Sequence, residues 1–532
     1  MKIKIERYGS LLLPVIAALC SPLTLYSENI AEIFIQDIFR SLLVSSVVAL
    51  LLLGLFLIIF RDRKLAIITT VFVILIFFSY GHLYRAIKTW NVAGILIGRH
   101  RFLFPLICVA YLSWQIWVVR NRVARMVWYQ LSMATCLISF VFPLLKISTQ
   151  WGMRIEVMDE VNHIEAQEFL DDSEEYPDVY YIILDGYARG DILETFFDFD
   201  NSEFIGGLRE RVFYVADEAR SNYPITFLPL PSSLNMNYVN YLADEYTLQD
   251  DEYWHALMYL LRDSEVRDVL ENEGYSVIAY ESGPPFTAIY DADDFIGTQH
   301  NGMAFNSYEA MLLDTTIARF YIDMFANNSP VDHQSLYAEY ETHRIRVGYI
   351  LGTLGEIAGR AKRTFTFAHV ISPHPPFLFD RNGRAKSPNR AFSFFDGSDY
   401  LGTTSDYVEL YPDQLEYLNG LVLDAIDEIL LNSAHTPYLI IQADHGPGAH
   451  LDWEDPSEEG LDERYGILNA YLFPDGDYQS LYPSISPVNS FRAVFNHAFN
   501  YAFPLLEEHY YYSYPGNLLL MEEIQFPDTT RR

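Results

Sequence analysis

The stretch Pro437–His450, P-Y-L-I-I-Q-A-D-H-G-P-G-A-H, decides both the fold of this chain and its candidate chemistry. Its apolar run 438–441 is bounded by turn-forming residues, which predicts a buried strand. Asp444 and His445 follow, and the G-P-G at 446–448 then breaks the chain. Because ligands of open α/β sheets bind just beyond the carboxyl ends of the strands, these two side chains can bind a zinc-like ion. Taken alone, the stretch slightly favours a strand that ends in an ordinary turn.

The 532 residues divide into a basic, apolar part and an acidic remainder. Residues 1–150 carry 15 Lys and Arg against 5 Asp and Glu, a net charge of +10, whereas residues 151–532 carry 21 against 65, a net charge of −44. This balance argues against a nucleic-acid partner, which would need a basic face. Solubility alone also explains the acidity. All three cysteines lie in the first part, so no disulfide can stabilise the second.

Five N-terminal segments are long and apolar enough, or nearly so, to cross the membrane as helices, which takes about 20 residues each. They cover approximately residues 10–26, 41–60, 65–84, 102–119 and 127–145. The first also has the basic start and apolar core of a signal peptide, but the four spans that follow favour an anchor. We therefore predict a transmembrane domain at residues 1–150, a linker at 151–175 and a catalytic domain at 176–532.

Lys and Arg in the short loops predict the orientation of these spans. With the N-terminus inside, nine basic residues lie on the cytoplasmic side: Lys2, Lys4, Arg7, Arg61, Arg63, Lys64, Arg120, Arg122 and Arg125. Four basic residues in one opposite loop argue the other way and are outnumbered. Five spans then place residue 151 onward outside the cytoplasmic membrane. We therefore predict a multi-pass protein of the cytoplasmic (inner) membrane with an extracytoplasmic catalytic domain.

Strand and helix patterns alternate after residue 176. The predicted strands are residues 179–184, 213–216, 275–280, 364–371, 438–441 and 469–473. The predicted helices are residues 227–242, 311–325, 336–357 and 414–431. Strands interleaved with helices of this length predict an α/β domain with a mostly parallel central sheet.

Three further residues can join the pair at 444 and 445. Asp185 ends a predicted strand as Asp444 does, although a turn Asp before a glycine explains it about as well. His374 stands between prolines in a stiff segment after strand 364–371, which suits a side chain that points into a cleft. His369 lies inside that strand and is interpreted as a core histidine. Thr226 precedes the predicted helix 227–242, where its hydroxyl is either part of an anion site or a plain N-cap.

In chain order, D-G-Y at 185–187, N-Y-P-I-T at 222–226, S-P-H-P-P-F at 372–377 and D-H-G-P at 444–447 resemble the sulfatase-like branch of the alkaline phosphatase superfamily. Five spans before such a domain resemble the lipoteichoic acid synthase and phosphoethanolamine transferase type of architecture. The resemblance implies an alkaline phosphatase-like fold. It also implies a membrane-bound transferase that moves a phosphorylated headgroup from a membrane lipid donor to a surface glycan. The alternative is a sulfatase-like hydrolase of small phosphate or sulfate esters.

The resemblance further implies a divalent metal ion, Zn or Mn, held by Asp185, Thr226, Asp444 and His445. Thr226 would be the nucleophile and form a phospho-threonine intermediate, and His374 would contact the phosphoryl group or its alcohol. Two departures from the family pattern stand out. The chain lacks the C/S-x-P-x-R signature of true sulfatases, and residues 151–532 lack the cysteines that phosphoethanolamine transferases usually pair.

Three points stay open in the sequence. His450 is either a ligand of a second metal or a surface histidine, and we interpret it as a surface histidine. Arg189 is the basic residue that we propose for binding the phosphate. A non-enzymatic scaffold with a degenerate catalytic fold is a further alternative, but every motif position holds a chemically competent side chain.

Overall fold

The computed structural model describes residues 10–29, 35–88, 90–92, 95–96, 98–160, 176–247, 252–298, 307–321, 331–360, 362–387 and 389–526. They form two compact units, drawn from residues 1–161 with 300–332 and from residues 162–299 with 333–532. The helices, in chain order, are α1 (Leu13–Glu28), α2 (Ile35–Phe60), α3 (Arg63–Ile87), α4 (His100–Arg120), α5 (Arg122–Glu160), α6 (Gly190–Phe197), α7 (Ser202–Glu210), α8 (Pro229–Leu234), α9 (Leu242–Glu245), α10 (Glu252–Arg262), α11 (Glu265–Asn272), α12 (Ser307–Thr315), α13 (Val331–Thr353), α14 (Thr404–Asn432), α15 (Glu458–Tyr465) and α16 (Pro487–Phe499). The strands are β1 (Asn91–Val92), β2 (Ile95–Leu96), β3 (Val179–Leu184), β4 (Tyr214–Val215), β5 (Ser276–Tyr280), β6 (Asp294–Ile296), β7 (Thr364–Val370), β8 (Tyr438–Gln442), β9 (Asn469–Leu472), β10 (Tyr510–Tyr514) and β11 (Asn517–Ile524).

The first unit is a helical bundle with the composition of a membrane domain. Four of its helices are long and apolar enough to cross a membrane: Asp37–Phe60, Arg63–Ile87, His100–Arg120 and Arg122–Thr149. The fifth predicted span corresponds to α1, which has 16 residues and contains Pro22. The predicted bundle of about five apolar helices is therefore confirmed, with α1 as its shortest member. Of the linker predicted at 151–175, α5 continues to Glu160, and residues 161–175 lie outside the described part of the chain.

A late segment of the chain returns to this bundle. The Tyr308 hydroxyl donates to the Pro22 carbonyl at 2.8 Å, and the Ile317 backbone N–H donates to the Phe77 carbonyl at 2.8 Å. The buried Glu309 forms an ion pair with Arg40. The sequence does not predict that this segment packs on the N-terminal helices, because the pattern at 311–325 is that of an ordinary helix of the catalytic domain. The structure places that helix at Ser307–Thr315, and residues 322–325 lie outside the described ranges.

The second unit is built on a seven-stranded sheet in the order β4-β9-β8-β3-β7-β5-β6. Neighbours in the run β8-β3-β7-β5-β6 are all parallel, and β9 is antiparallel to both β8 and β4. All six residues of the central strand β3 are buried, as expected for a parallel strand covered on both faces. Burying each large aliphatic side chain in this strand stabilises the fold by roughly 1.5–3 kcal/mol. The predicted α/β domain with a mostly parallel sheet is confirmed.

Two predicted helices differ from the observed ones for local reasons. Helix α14 begins at Thr404, ten residues before its predicted start, because Thr403 and Asp406 form a capping box and Pro412 is accommodated inside the helix. The helix predicted at 227–242 is wrong. Only Pro229–Leu234 and Leu242–Glu245 are helical there, and Met236, with φ at +51°, ends the first of them. Thr226 therefore lies in a turn and caps no helix.

Candidate functional site

Three adjacent parallel strands deliver the predicted site residues to one edge of the sheet. Strand β3 lies between β7 and β8, and each of the three ends at this edge. Asp185 follows β3, His374 comes four residues after the end of β7, and Asp444 and His445 follow β8. Since the carboxyl ends of parallel strands meet at the same edge, residues that are far apart in sequence become neighbours.

Backbone contacts fix the relative position of the first two strand ends. The Asp185 N–H donates to the Val370 carbonyl at 3.0 Å, and the His374 N–H donates to the Asp185 carbonyl at 2.9 Å. Gly186 has φ at +75°, and a Cβ at this position would lie 3.3 Å from Cα and Cβ of His374. Glycine is therefore required here both by conformation and by space.

The His445 ring is the centre of the cluster. Its Nδ1 lies 2.9 Å from the Gly446 carbonyl, and because a carbonyl only accepts, Nδ1 carries the proton and Nε2 keeps its lone pair. That Nε2 lies 3.1 Å from Thr226 Oγ1, 3.6 Å from Asp185 Oδ1 and 3.4 Å from Asp444 Oδ2. The structure thus brings together the four side chains predicted as metal ligands.

Two carboxylate oxygens in this cluster have no hydrogen-bond partner in the part of the chain that the structure describes. They are Asp185 Oδ1 and Asp444 Oδ2, and their side chains are buried. The other oxygen of Asp444 accepts from the His445 N–H at 3.0 Å and from the Gly186 N–H at 3.3 Å. A buried anionic oxygen without a partner is costly unless a cation binds it. Carboxylate oxygens and an unprotonated imidazole nitrogen suit a divalent metal ion, so the residues present fit such a group.

Thr226 is half-buried, whereas the two nearest alternative nucleophiles, Ser221 and Ser232, are buried and their hydroxyls are hydrogen-bonded. Ser232 Oγ donates to the Asn237 carbonyl at 2.7 Å. Ser221 Oγ bonds the carbonyls of Asp444 and Tyr223. Of these three residues, only Thr226 both contacts a cluster side chain through its hydroxyl and is less than fully buried.

His369, interpreted from the sequence as a core histidine, contacts the cluster. Its Nε2 donates to Asp185 Oδ2 at 3.1 Å, and its side chain is fully buried. Asp185, His369 and Asp444 form one group of side chains close enough to share a metal ion, and Asp185, His374 and His445 form another. Burial alone would raise the pKa of Asp185, but His374, the hydrogen bond from His369 and His445 outweigh it and hold that pKa well below its usual range. Asp185 is therefore a carboxylate at any physiological pH.

Arg464 is the basic side chain that sequence reasoning missed. Its Nη2 lies 3.2 Å from His445 Nε2, its Nε donates to the Pro224 carbonyl at 2.7 Å, and its Nη1 donates to the Gly446 carbonyl at 3.0 Å. The guanidinium also lies over the Trp453 ring, 5.1 Å from its centroid. Gly446 permits this arrangement, because a Cβ there would come within 2.2 Å of the Glu463 carbonyl on the same helix as Arg464.

Asp396 is the buried partner of Arg464 and was also missed. Its Oδ2 forms an ion pair with Arg464 Nη1 and lies 3.7 Å from His374 Nε2, while its Oδ1 has no hydrogen-bond partner. Burial opposes ionisation of Asp396, but Arg464, through its charge and its hydrogen bond, acts together with His374 and His445 to outweigh burial and lower the pKa of Asp396. His374 Nδ1 donates to the Pro375 carbonyl at 2.7 Å, so Nε2 is the ring nitrogen that faces this acid. No motif in the sequence marks Asp396 or Arg464.

The roles of Arg189 and His450 are undecided in the sequence, and the contacts of both lie outside the cluster described above. Arg189 forms an ion pair with Asp191 at 2.6 Å and donates to the Ala219 carbonyl at 2.8 Å. His450 Nδ1 lies 2.9 Å from the buried Glu463, and its side chain is 33% exposed. The side-chain hydrogen bond and the charge of Glu463 raise the pKa of His450 above its ordinary value. His450 is therefore a half-exposed histidine with an acidic partner of its own.

Neither a family model nor a curated protein matches this chain. Among solved structures, the C-terminal periplasmic domain of EptC from Escherichia coli in complex with Zn is 12% identical, with a TM-score of 0.40 over 63% of this chain and 86% of that one. The integral membrane lipooligosaccharide phosphoethanolamine transferase EptA from Neisseria meningitidis is 11% identical, with a TM-score of 0.38 over 91% and 95%. A 2-O GAG sulfatase is 8% identical, with a TM-score of 0.34 over 62% and 72%. These are phosphoethanolamine transferases and sulfatases, the classes of protein that the sequence motifs resemble.

Proposed function

We propose that this protein is a metal-dependent membrane-bound transferase that moves a phosphorylated headgroup from a lipid donor to a surface glycan. One observation carries the proposal. The hydroxyl of the half-buried Thr226 lies 3.1 Å from His445 Nε2, and two buried carboxylate oxygens of the same cluster have no hydrogen-bond partner among the described residues. A hydroxyl nucleophile next to a metal-binding group is the arrangement that phosphoryl transfer needs. The four membrane-capable helices support a donor that lies in the bilayer.

Asp185, Thr226, Asp444 and His445 would hold the ion, with Zn and Mn both compatible with their mixed oxygen and nitrogen donors. When bound, a divalent ion supplies Lewis acidity, which acidifies the Thr226 hydroxyl and withdraws charge from a phosphoryl oxygen. His369 orients the Asp185 carboxylate through its hydrogen bond to Asp185 Oδ2. The Nδ1 bond to Gly446 keeps His445 in the tautomer that presents Nε2.

The transfer takes two displacements at phosphorus. Thr226 Oγ first forms a bond to phosphorus while the bond from phosphorus to the lipid oxygen breaks, and the lipid leaves as an alcohol after taking up a proton. The hydroxyl of the glycan then attacks phosphorus, the bond to Thr226 Oγ breaks, and the threonine is regenerated. In this mechanism His374 Nε2 accepts the proton of the attacking hydroxyl and returns it to the leaving oxygen. Arg464, which contacts His445 from the other side, would stabilise the charge of the transferred phosphoryl group.

Product analysis on the full-length protein tests this function. The probes are phosphatidylethanolamine and phosphatidylglycerol labelled in the headgroup, each with and without a lipooligosaccharide acceptor. We expect label on the peptide that contains Thr226 and, with acceptor, on the glycan. Label released only to water would identify the hydrolase alternative. No labelled peptide and no turnover with Zn or Mn supplied would refute both activities.

We also propose that the second unit lies outside the cytoplasmic membrane. The nine basic residues on the predicted cytoplasmic side support this orientation. A surface glycan acceptor would then be on the same side as the site.

A further inference from the structure

A pocket of about 100 Å³ opens in the second unit, and the function described above does not use it. We call it the aromatic pocket, because four aromatic side chains line it: Tyr340, Phe377, Phe395 and Tyr400. A bound water needs about 10–15 Å³ of such a cavity. The pocket therefore has room for several waters, about the volume that one sugar ring displaces.

One wall of the aromatic pocket is the segment 392–396, which also contacts the cluster. Phe395 lines the pocket. The residues on either side of it face the other way: the Phe394 ring lies 6.5 Å from the His374 ring, and Asp396 Oδ2 lies 3.7 Å from His374 Nε2. The pocket thus lies next to the cluster, with the thickness of one chain segment between them.

Two apolar side chains of the pocket are exposed to solvent. Phe395 is 59% exposed and Leu401 is 47% exposed. Exposed apolar side chains that gather at one pocket mark a ligand-binding groove. Ser387 and Asn389, both exposed, add a hydroxyl and an amide to the same lining. Aromatic faces beside polar groups suit a sugar, whose C–H face packs on a ring while its hydroxyls form hydrogen bonds.

The charges at the pocket favour a neutral ligand over an anion. Its two basic side chains already have acidic partners: Lys386 Nζ donates to Asp413 at 3.1 Å, and Arg390 Nη2 donates to Asp406 at 3.0 Å. An anionic ligand would have to compete with these carboxylates. It would also approach a part of the chain, residues 151–532, whose net charge is −44.

We propose that the aromatic pocket binds one neutral sugar ring of the glycan acceptor, stacked on Phe395. The segment 392–396 separates this ring from His374, so the ring that attacks phosphorus is a neighbouring one in the same glycan. A uronic acid would bind less well, because the carboxylates of Asp406 and Asp413 would repel it. The role of the sugar as acceptor rests on the proposed function, whereas its binding does not.

Sugar binding by the full-length protein tests the inference. The protein is purified in a detergent without a sugar headgroup, which would otherwise compete for the pocket, and no lipid donor is added. Saturation-transfer NMR measures Kd for two pairs of methyl glycosides, glucoside with glucuronide and galactoside with galacturonide. The members of each pair differ at C6, which is a hydroxymethyl group in one and a carboxylate in the other. In at least one pair, we expect the neutral member to bind about tenfold more tightly than the acidic one.

Phe395→Ala should weaken binding of the neutral glycoside about tenfold, because the stacking face is lost. Phe395→Trp should retain binding, because it keeps an aromatic face. Leu431→Ala is the matched control and should bind as the unmutated protein does, since Leu431 is a 77% exposed apolar residue of the same unit that does not line the pocket.

Three results would each overturn the proposal: no saturation of either neutral glycoside, acidic members that bind as tightly as neutral ones in both pairs, or equal Kd values for Phe395→Ala and Leu431→Ala. Headgroup transfer with an unchanged KM for a neutral glycan in Phe395→Ala would refute the pocket and leave the proposed function standing. Sugar binding without any headgroup transfer by the unmutated protein would refute the proposed function alone.

Discussion

Thr226 Oγ1 and His445 Nε2 lie 3.1 Å apart, although the two residues are 219 positions apart in the chain. One comes from an irregular turn and the other from the end of a central strand. Asp185 Oδ1 and Asp444 Oδ2 lie 3.6 Å and 3.4 Å from the same imidazole nitrogen, and neither oxygen has a hydrogen-bond partner among the described residues. The consequences of this arrangement can be measured.

Thr226→Ala should leave the fold and membrane insertion intact and lower turnover by at least about a thousandfold, because the nucleophile is lost. Thr226→Ser should retain part of the activity, since the hydroxyl remains. Headgroup transfer and mapping of the labelled peptide measure both effects. Ser232→Ala is the control and should keep the chemistry, because the Ser232 hydroxyl donates to the Asn237 carbonyl. Wild-type turnover in Thr226→Ala, or label on Ser221 or Ser232, would contradict the assignment.

Asp444→Asn and His445→Ala should each abolish binding of a divalent ion and, with it, activity, since a site of four ligands has none to spare. Metal content of the purified full-length protein by mass spectrometry is the measurement. His343→Gln serves as the control. His343 is a buried histidine whose Nε2 donates to the Ile371 carbonyl at 3.0 Å, and it should be replaceable without loss of metal. A full equivalent of metal in either ligand variant would remove that residue from the site.

Arg464→Lys should lower kcat by about a hundredfold while the metal content stays unchanged. A lysine keeps the charge but cannot bond the Pro224 and Gly446 carbonyls and Asp396 at once, as the guanidinium does. Arg189→Lys is the matched control, because Arg189 bonds Asp191 and the Ala219 carbonyl instead of the cluster. Equal kcat values for the two variants would show that Arg464 has only a structural role.

His450→Gln should lower the apparent Tm of the full-length protein by about 2 °C at pH 5.5 and leave it unchanged well above neutrality. Glu463 raises the pKa of His450 in the folded state. The stabilisation is therefore fully present below the unfolded pKa, about 6.5, and is lost as pH rises through the higher folded value. Thermal melts of both proteins across this range measure the effect. A difference in Tm that grows with pH would contradict it.

Fusions after Glu160 test the orientation of the second unit. A reporter that is active only after export should be active there, and one that is active only in the cytoplasm should be silent, because nine basic residues favour a cytoplasmic N-terminus. A control fusion after Asp62, in a predicted cytoplasmic loop, should show the reverse pattern. The same result at both positions would mean that the spans are miscounted.

The sequence by itself determined the elements whose signal is local. Strand β3 has its predicted bounds, and β7 and β8 differ from theirs by one residue, because short apolar runs bounded by Gly, Pro and Asp identify a buried parallel strand. Asp185, Asp444 and His445 follow directly from those strand ends. The apolar helices of the first unit can also be predicted from the sequence, since the hydrocarbon core of the membrane sets both their length and their composition.

Only the tertiary structure decided which distant groups complete the cluster. Arg464 and Asp396 are 68 positions apart, and neither belongs to a motif, yet burial of one charge requires the other beside it. The sequence pattern indicates that His369 is a core residue. The register of β7 against β3 in the folded protein brings it into contact with Asp185. Thr226 was expected at a helix start and lies in a turn, because the helix begins only at Pro229, a residue type that favours the first helical position. Local patterns specify strands and their ends, whereas compensation of buried charge depends on which chain segments the fold packs together.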